Sequence, residues 1–427
     1  MNRRGFLLSS LASSAIVPLA VTDPALAQRD RALPPAIAAL KSRKDEAKPI
    51  SLAEREARLD RARQLMKQEK IDAILLAGGT SMVYFTGIRS GNSERMFCYV
   101  LPQKGDGFIV CPAFERDRMM ERMDAIPSGK TLRIYIWQEH ESPYALVGKG
   151  LADAGMKTGS LGIEERTPFV YASEIGKANP QWRVVDGTPV VAGCRMIKSA
   201  AELALLRLAN AVTLEVYEAA WKSGHPGLTT REFTELIAAG YQRVGFAGEA
   251  SCQTGIYSAL PHGSITPQVI KENDIVLIDD GCAVEGYQSD ISRTFCYGKP
   301  TDRMLRVFDV VHQAQAAALA AARPGAEAQQ VDAAARKVIT DAGFGPDYRT
   351  FTHRVGHGIG MDGHEWPYLV RGNTLKLRPG MTFSDEPGIY LTGEFGVRLE
   401  DDMVITENGA ELFTGPSNSL TMPFGGR

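Results

Sequence analysis

The sequence predicts two domains, an α/β N-terminal domain followed by an α+β C-terminal domain, and three observations carry that reading. The chain has 427 residues, too many for one ordinary core and suited to two domains of roughly 100 to 200 residues plus a leader. Up to about Val191, amphipathic helical stretches alternate with short apolar runs, the pattern of an α/β unit. Beyond Arg195, long helices are set instead among strand hairpins that carry acidic residues.

Residues 1–27 read as an export signal rather than part of the fold. Arg3 and Arg4 precede an apolar run over residues 6 to about 21, and Ala25-Leu26-Ala27 closes it, giving a basic start, an apolar middle and a small-x-small end. "RRGFLL" resembles the twin-arginine type of bacterial signal, which carries folded proteins, so a periplasmic or secreted location is expected. Serines and Pro18 interrupt the run, which suits it poorly to a permanent span of about 20 mostly apolar residues. No integral membrane span is therefore expected in the mature form, a retained N-terminal anchor being the alternative.

Residues 28–50 are polar, contain Pro34, Pro35 and Pro49, and read as an arm or linker. The N-terminal domain, residues 51–194, opens on a Ser-x-x-Glu capping box, Ser51 with Glu54, that starts an amphipathic helix. "IDAILLAGG" follows as a buried strand, with "GFIVCPA", "TLRIYIW" and "LGIEE" as further strands. In the C-terminal domain, residues 195–427, capping boxes at Ser199 with Glu202 and Thr229 with Glu232 start two helices. Alanine-rich stretches over 303–322 and 329–342 predict two more.

Composition excludes several function classes. A hydrophobic content of 44% and a charged content of 23% are those of a soluble globular protein. A formal net charge of −2 and a pI near 6.4 offer phosphate backbones no basic field, so no nucleic-acid partner is expected. The six cysteines are scattered without a C-x-x-C pair, which argues against a zinc knuckle or a redox motif. They sit mostly in apolar runs and read as small core residues, with an isolated disulfide as the alternative.

Two hairpins hold the informative acids. In "IVLIDDGCAVEGYQSDISRTF", folding about the midpoint between Val284 and Glu285 sets Asp279 opposite Asp290. In "TFSDEPGIYLTGEFGVRLEDDMVIT", folding about Gly393 sets Glu386 opposite Glu400. Opposed like charges destabilise a sheet, and carboxylates buried among such apolar neighbours need a proton or a cation. A pair of divalent metal ions satisfies all four. Asp280, Asp385, Asp401 and Asp402 read as solvated or as standing behind the ligands, since alternation turns strand neighbours to opposite faces.

"THRVGHGIGMDGHEWP" places three of the seven histidines on a backbone whose glycines disfavour helix and permit a bulged strand or loop. His357 can supply a nitrogen ligand there, with His353 and His364 near enough to act on substrate. His262, in the "SALPHGS" turn, suits a cleft rim.

Taken together, "SALPHG", "IDDGCAVEGYQSDISRTF", "GHGIGMDGHEWP", "SDEPGIY" and "GVRLEDD" resemble, in order, the creatinase, aminopeptidase P and prolidase type of metallopeptidase, whose catalytic domain has the "pita-bread" fold. The N-terminal part, from "MVYFTGIRSGNSERMF" on, resembles that family's N-terminal domain more loosely. The resemblance implies that Asp279, Asp290, His357, Glu386 and Glu400 hold two divalent ions. Asp290 and Glu400 would bridge them, Asp279 completing one site and His357 with Glu386 the other. Mn²⁺ is implied first; the oxygen-rich shell also admits Fe²⁺, Co²⁺ or Zn²⁺. A hydroxide shared between the ions would attack an Xaa-Pro peptide bond, with Glu386 moving the proton. His262 and His364 would stabilise the tetrahedral intermediate and the leaving nitrogen, His353 would face the proline side, and Arg398 would orient substrate or Glu400.

Strict dipeptidases of the family tend to carry an arginine four residues after the equivalent of His364. Tyr368 stands there, with Arg371 three further on, which favours an aminopeptidase on longer Xaa-Pro peptides over a dipeptidase. The family is often oligomeric through its N-terminal domain, so a homo-oligomer, such as a dimer, is expected. A metal-dependent non-peptidase on the same fold, such as an ectoine hydrolase or a sulfoniopropionate lyase, is the alternative. Metal-independent amidinohydrolases and metal-free binding modules on this fold do not keep the ligand set.

Overall fold

The computed structural model describes residues 33–425, and the export signal read over residues 1–27 lies outside them. The N-terminal domain is built on a six-stranded sheet of β1 Ala73–Ala77, β2 Cys98–Pro102, β3 Phe108–Pro112, β4 Arg133–Trp137, β5 Gly159–Ile163 and β6 Trp182–Asp186, in the spatial order β4-β3-β2-β1-β5-β6. β2 runs antiparallel to β1 and β3, and the remaining pairs are parallel. Such a sheet needs cover on both faces. In β1, Ile74 and Leu76 enter one core with helices α1 Leu52–Glu69 and α2 Thr188–Arg195. Ala73, Leu75 and Ala77 enter the opposite core with helices Tyr144–Asp153 and Phe169–Ala178.

The C-terminal domain has two halves, each an antiparallel sheet system backed by a helix pair. The first half contains α3 Ala200–Ser223 and α4 Thr230–Val244, with strands β7 Ala247–Gly248, β8 Ser251–Thr254, β9 Ile275–Asp279, β10 Cys282–Val284, β11 Tyr287–Gln288 and β12 Arg293–Cys296. These form the sheets β11-β10-β7 and β12-β9-β8. Val212, Val216, Phe233 and Ile237 of the helices pack on Val276 and Ile278. The second half contains α5 Asp302–Ala321 and α6 Ala328–Asp341, with β13 Gly356–Gly358, β14 Glu365–Leu369, β15 Thr382–Asp385, β16 Gly388–Leu391, β17 Phe395–Arg398, β18 Asp401–Ile405 and β19 Ala410–Leu412. Its sheets are β14-β13-β15-β18-β19 and β16-β17, and Val311, Val331 and Ala335 pack on Phe383 and Met403. The predicted fold class is therefore the observed one.

Two local expectations change. The capping boxes at Ser199 and Thr229 form completely, but at Ser51 only half does. Ser51 Oγ accepts from Glu54 N at 3.2 Å, while the Glu54 carboxylate accepts from Arg58 at 2.9 Å and from Ser199 Oγ at 2.6 Å. That side chain is drawn to the domain boundary, where a charge-assisted partner is worth more than the cap's own amide. From Leu33 on, the stretch read as an arm or linker is also docked. Residues Pro35–Ala38 form one helical turn, and Ile37, Leu40 and Ile50 are buried in the core of α3 and α4. Three apolar side chains in a polar segment are enough to pin it there.

All six cysteines are buried and free. Among the described residues no helix is long and apolar enough to cross a membrane.

Candidate metal centre

The first acidic hairpin turns one residue later than the sequence reading placed it. Glu285 and Gly286, with φ of 51° and 91°, make a two-residue turn flanked by the pair Val284↔Tyr287, the left-handed geometry that matches strand twist. The register Arg293↔Ile278 then continues so that Ser292, not Asp290, faces Asp279. Ser292 Oγ donates to Asp279 Oδ1 at 2.6 Å. Direct opposition of Asp279 and Asp290 is thus corrected. The slip moves Asp290 by two residues along its strand and keeps it on the same face, so it becomes a diagonal neighbour of Asp279. Asp280, with φ of 89°, breaks the ladder beside them.

The second hairpin has the expected register. Gly388↔Arg398 on one side and Asp385↔Asp401 on the other bracket Glu386 and Glu400, which face each other where Pro387 interrupts the ladder. Asp385, Asp401 and Asp402 point into the protein and are fully buried, whereas Asp280 is exposed. Asp401 pairs with the buried Arg293 at 2.6 Å. Asp402 accepts from Asn210 at 2.9 Å and from the backbone N–H of Asp290 at 3.0 Å, fixing that ligand's backbone from behind.

His357 lies on β13, which carries a bulge between His357 and Gly358. A Cβ at Gly356 would sit 2.0 Å from the Ser384 carbonyl oxygen, so only glycine allows β13 this close to β15. The ring's Nδ1 lies 3.2 Å from the Gly358 carbonyl, which can only accept, so Nδ1 carries the proton. Nε2 then presents a lone pair to Glu386 Oε1 at 3.3 Å and Asp290 Oδ2 at 3.7 Å. A lone pair facing two carboxylates is repelled unless a cation lies between them.

Donor atoms of Asp279, Asp290 and Glu400 all lie within 4.8 Å of one another, as do those of His357, Glu386 and Glu400, and those of Asp290, His357 and His364. Burial, then the charges of Asp279 and Asp402, holds the Asp290 carboxyl well above the usual range. Burial, then Asp290 and Glu386, does the same at Glu400, and burial, with Asp279 adding to it, pushes Glu386 up to about 8. At Asp279 burial acts the same way, but the adjoining Arg398 guanidinium and the Ser292 hydroxyl outweigh it and bring the carboxyl down to about 2. Burial lowers His357 to about 3, keeping the imidazole neutral as a ligand requires. An oxygen-rich donor set with one neutral imidazole, crowded enough to hold protons, fits a pair of divalent cations.

A cleft of about 640 Å³ opens above these groups, lined also by Pro261, His262, Tyr348, His353, Arg354 and His364. Every site residue named from the sequence is therefore brought to one place, His262 at its exposed rim. His353 donates from Nδ1 to the Arg354 carbonyl at 2.8 Å, and its Nε2 lies 2.7 Å from Tyr390 Oη. Arg398 is buried and donates to Ser292 Oγ, the Pro261 carbonyl and Tyr390 Oη. Ser292, Tyr390 and Arg354 were missed from sequence. Each lies beside a quoted motif residue, but nothing in residue type or spacing separates it from a packing residue.

His364 stacks on His357 with ring centroids 3.7 Å apart and receives a hydrogen bond from Arg354 Nη2 at Nδ1, 3.1 Å. Its loop is gripped from outside the cleft. Arg166 of the N-terminal domain donates to the His364 carbonyl at 2.8 Å and pairs with Asp362 at 3.0 Å. Asp362 also accepts from Thr80 Oγ1 and Arg195, each at 2.6 Å, and Glu365 pairs with Arg195 at 2.5 Å and Lys198 at 2.7 Å.

Comparison with known proteins agrees with this geometry. Residues 204–407 match the family model described as Metallopeptidase family M24, and residues 58–197 match that of the Creatinase/Prolidase N-terminal domain. The chain is 32% identical over 363 residues to an Xaa-Pro dipeptidase of Lactobacillus delbrueckii subsp. lactis, covering 83% of this chain and 96% of that protein. It is 35% identical over 343 residues to a probable dipeptidase PepE of Mycobacterium bovis, covering 79% of this chain and 88% of the other. The crystal structure of dipeptidase PepE from Mycobacterium ulcerans superposes with a TM-score of 0.80 at 33% identity, over 88% of this chain and 99% of that one. A bulged histidine strand and two acidic hairpins meeting in the seam of a two-halved domain thus coincide with full-length relatives, and the chain belongs to metallopeptidase family M24, with a creatinase/prolidase N-terminal domain ahead of its pita-bread catalytic domain.

Proposed function

We propose that this peptidase hydrolyses the Xaa-Pro bond at the N-terminus of short peptides, with two divalent cations, Mn²⁺ first, held by Asp279, Asp290, His357, Glu386 and Glu400. The observation that carries the reading is the Nε2 lone pair of His357 aimed at Glu386 and Asp290 inside a crowded carboxylate cluster. The name of the similar Xaa-Pro dipeptidase of Lactobacillus delbrueckii supports the substrate class.

Bound there, such cations supply an acidified water and a polarised carbonyl. The chain's own groups do the rest. Glu386, with Oε2 3.7 Å from His353 Nδ1 and Oε1 beside His357, lies at the cleft floor and is the group to take the water's proton and return it to the leaving nitrogen. With Nδ1 of His364 accepting from Arg354, its proton resides on Nε2. Burial, then the Arg354 charge, lowers the His364 pKa and keeps that tautomer neutral. Nε2–H is then a fixed donor for charge developing on the carbonyl oxygen, and His262 faces the same cleft from the rim. Arg398, locked by Ser292, Tyr390 and Pro261, holds Asp279 ionised and in place.

The test is turnover of Mn²⁺-loaded protein on Ala-Pro, Ala-Pro-Ala and the control Ala-Ala. Cleavage of the proline peptides with little on the control is expected. Failure on both proline peptides would overturn the reading in favour of a non-peptidase reaction.

A further inference from the structure

A peptide with free ends brings an ammonium and a carboxylate into the cleft, and the five acids lining it favour only the first. The terminal carboxylate of a short substrate therefore needs a cation of its own. Two guanidinium groups line the cleft, those of Arg398 and Arg354. Arg398 is already committed to Asp279, Ser292, Tyr390 and the Pro261 carbonyl.

Arg354 stands differently. Among the described residues no carboxylate pairs with it; one Nη2 hydrogen bond goes to His364, and the guanidinium lies over the Tyr368 ring at 4.2 Å. A guanidinium has five N–H donors in a planar fork, so most remain for a ligand. Its backbone is clamped from both sides. Asp332 accepts from Val355 N at 3.0 Å, and Arg336, paired with Asp332 at 2.7 Å, donates to the carbonyls of Phe351 and His353. An arginine stacked on an aromatic ring and anchored at its main chain is preorganised for bidentate capture of a carboxylate.

We propose that Arg354 binds the terminal carboxylate of the substrate and so makes Xaa-Pro dipeptides, rather than longer peptides, the preferred length; the assignment rests on the Xaa-Pro reading above. It reverses the length preference expected from Tyr368. That residue supplies the platform for Arg354 instead of the cation. Arg371, the other arginine considered, pairs with Asp347 at 2.8 Å and does not line the cleft. Arg354 adjoins His353 and donates to His364, which places it on the side where the proline residue of the substrate would lie.

The test compares kcat/KM on Ala-Pro and on its C-terminal amide for Mn²⁺-loaded wild type, Arg354→Lys and Arg354→Met, with bound Mn²⁺ measured for each. Loss of the His364 contact should lower both substrates alike. Beyond that common fall, Arg354→Met should lose a further factor of about 10 to 100 on Ala-Pro alone, mainly through KM, with Arg354→Lys between. An equal fall on acid and amide, with metal retained, would reduce Arg354 to a positioning residue for His364 and overturn the proposal. Wild type that cleaves acid and amide equally overturns it too, whereas wild type that cleaves neither overturns the Xaa-Pro reading itself.

Discussion

Replacing Asp290 with asparagine should change sign in its effect on stability according to whether cations are bound. Without them, Asp290 sits among Asp279 and Glu400 with donor atoms inside 4.8 Å, and burial, then the charges of Asp279 and Asp402, raises its pKa. A carboxyl whose folded pKa is raised opposes folding above its unfolded pKa of about 3.9, at roughly 1.4 kcal/mol per pH unit until the folded value is reached. Neighbouring acids share that load, so at pH 7 asparagine should stabilise the metal-free protein by on the order of 1 to 3 kcal/mol, raising the thermal midpoint by a few degrees. The gain should shrink to about 0.5 kcal/mol near pH 4, where the folded aspartate is protonated and the unfolded one about half so. With Mn²⁺ at about a thousand times its Kd, wild type gains about 4 kcal/mol that a variant lacking the proposed bridging ligand forgoes. The order of stabilities then inverts. Thermal unfolding in EDTA and in Mn²⁺, at both pH values, with elemental analysis of bound metal, measures this. A lower midpoint for Asp290→Asn in EDTA at pH 7, or two ions per chain retained, would refute the reasoning.

Two further outcomes are expected. His364→Ala should keep both ions while kcat falls by a factor on the order of 100 to 1000, the usual effect of losing one oxyanion donor; a drop in metal stoichiometry would place His364 among the ligands, as its proximity to Asp290 and His357 allows. Metal loading should release protons, because Asp290, Glu386 and Glu400 hold theirs near neutrality without a cation. Affinity should therefore rise with pH up to about 8, and Mn²⁺ titrated into weakly buffered protein at pH 6.5 should acidify the solution. No pH change would show that the cluster is ionised beforehand.

The site was legible in the sequence where chemistry forced it and illegible where only three-dimensional proximity did. Glu386 and Glu400 were placed in register because a glycine turn at 393 and flanking apolar strands leave one sensible fold. Asp279 and Asp290 were brought to the right face by the wrong pairing, since a two-residue slip preserves parity and alternation cannot detect it. The domain layout followed from helix and strand periods, but the docked arm did not, because Ile37, Leu40 and Ile50 are too few to mark a periodic face. Tyr390 and Arg354 owe their places to contacts with His353 and His364, and a linear sequence carries no record of those distances.

The ionic seam around Asp362 has a consequence of its own. The segment that bears His364 is tethered by Arg166 and Thr80 of the small domain and by Arg195 and Lys198 of the connection between domains. The His364 imidazole is thus suspended between two bodies rather than mounted on one. Any displacement of the small domain is transmitted to that ring, so substitutions at Arg166, well outside the cleft lining, can retune turnover while the carboxylate cluster of Asp279, Asp290, Glu386 and Glu400 is untouched.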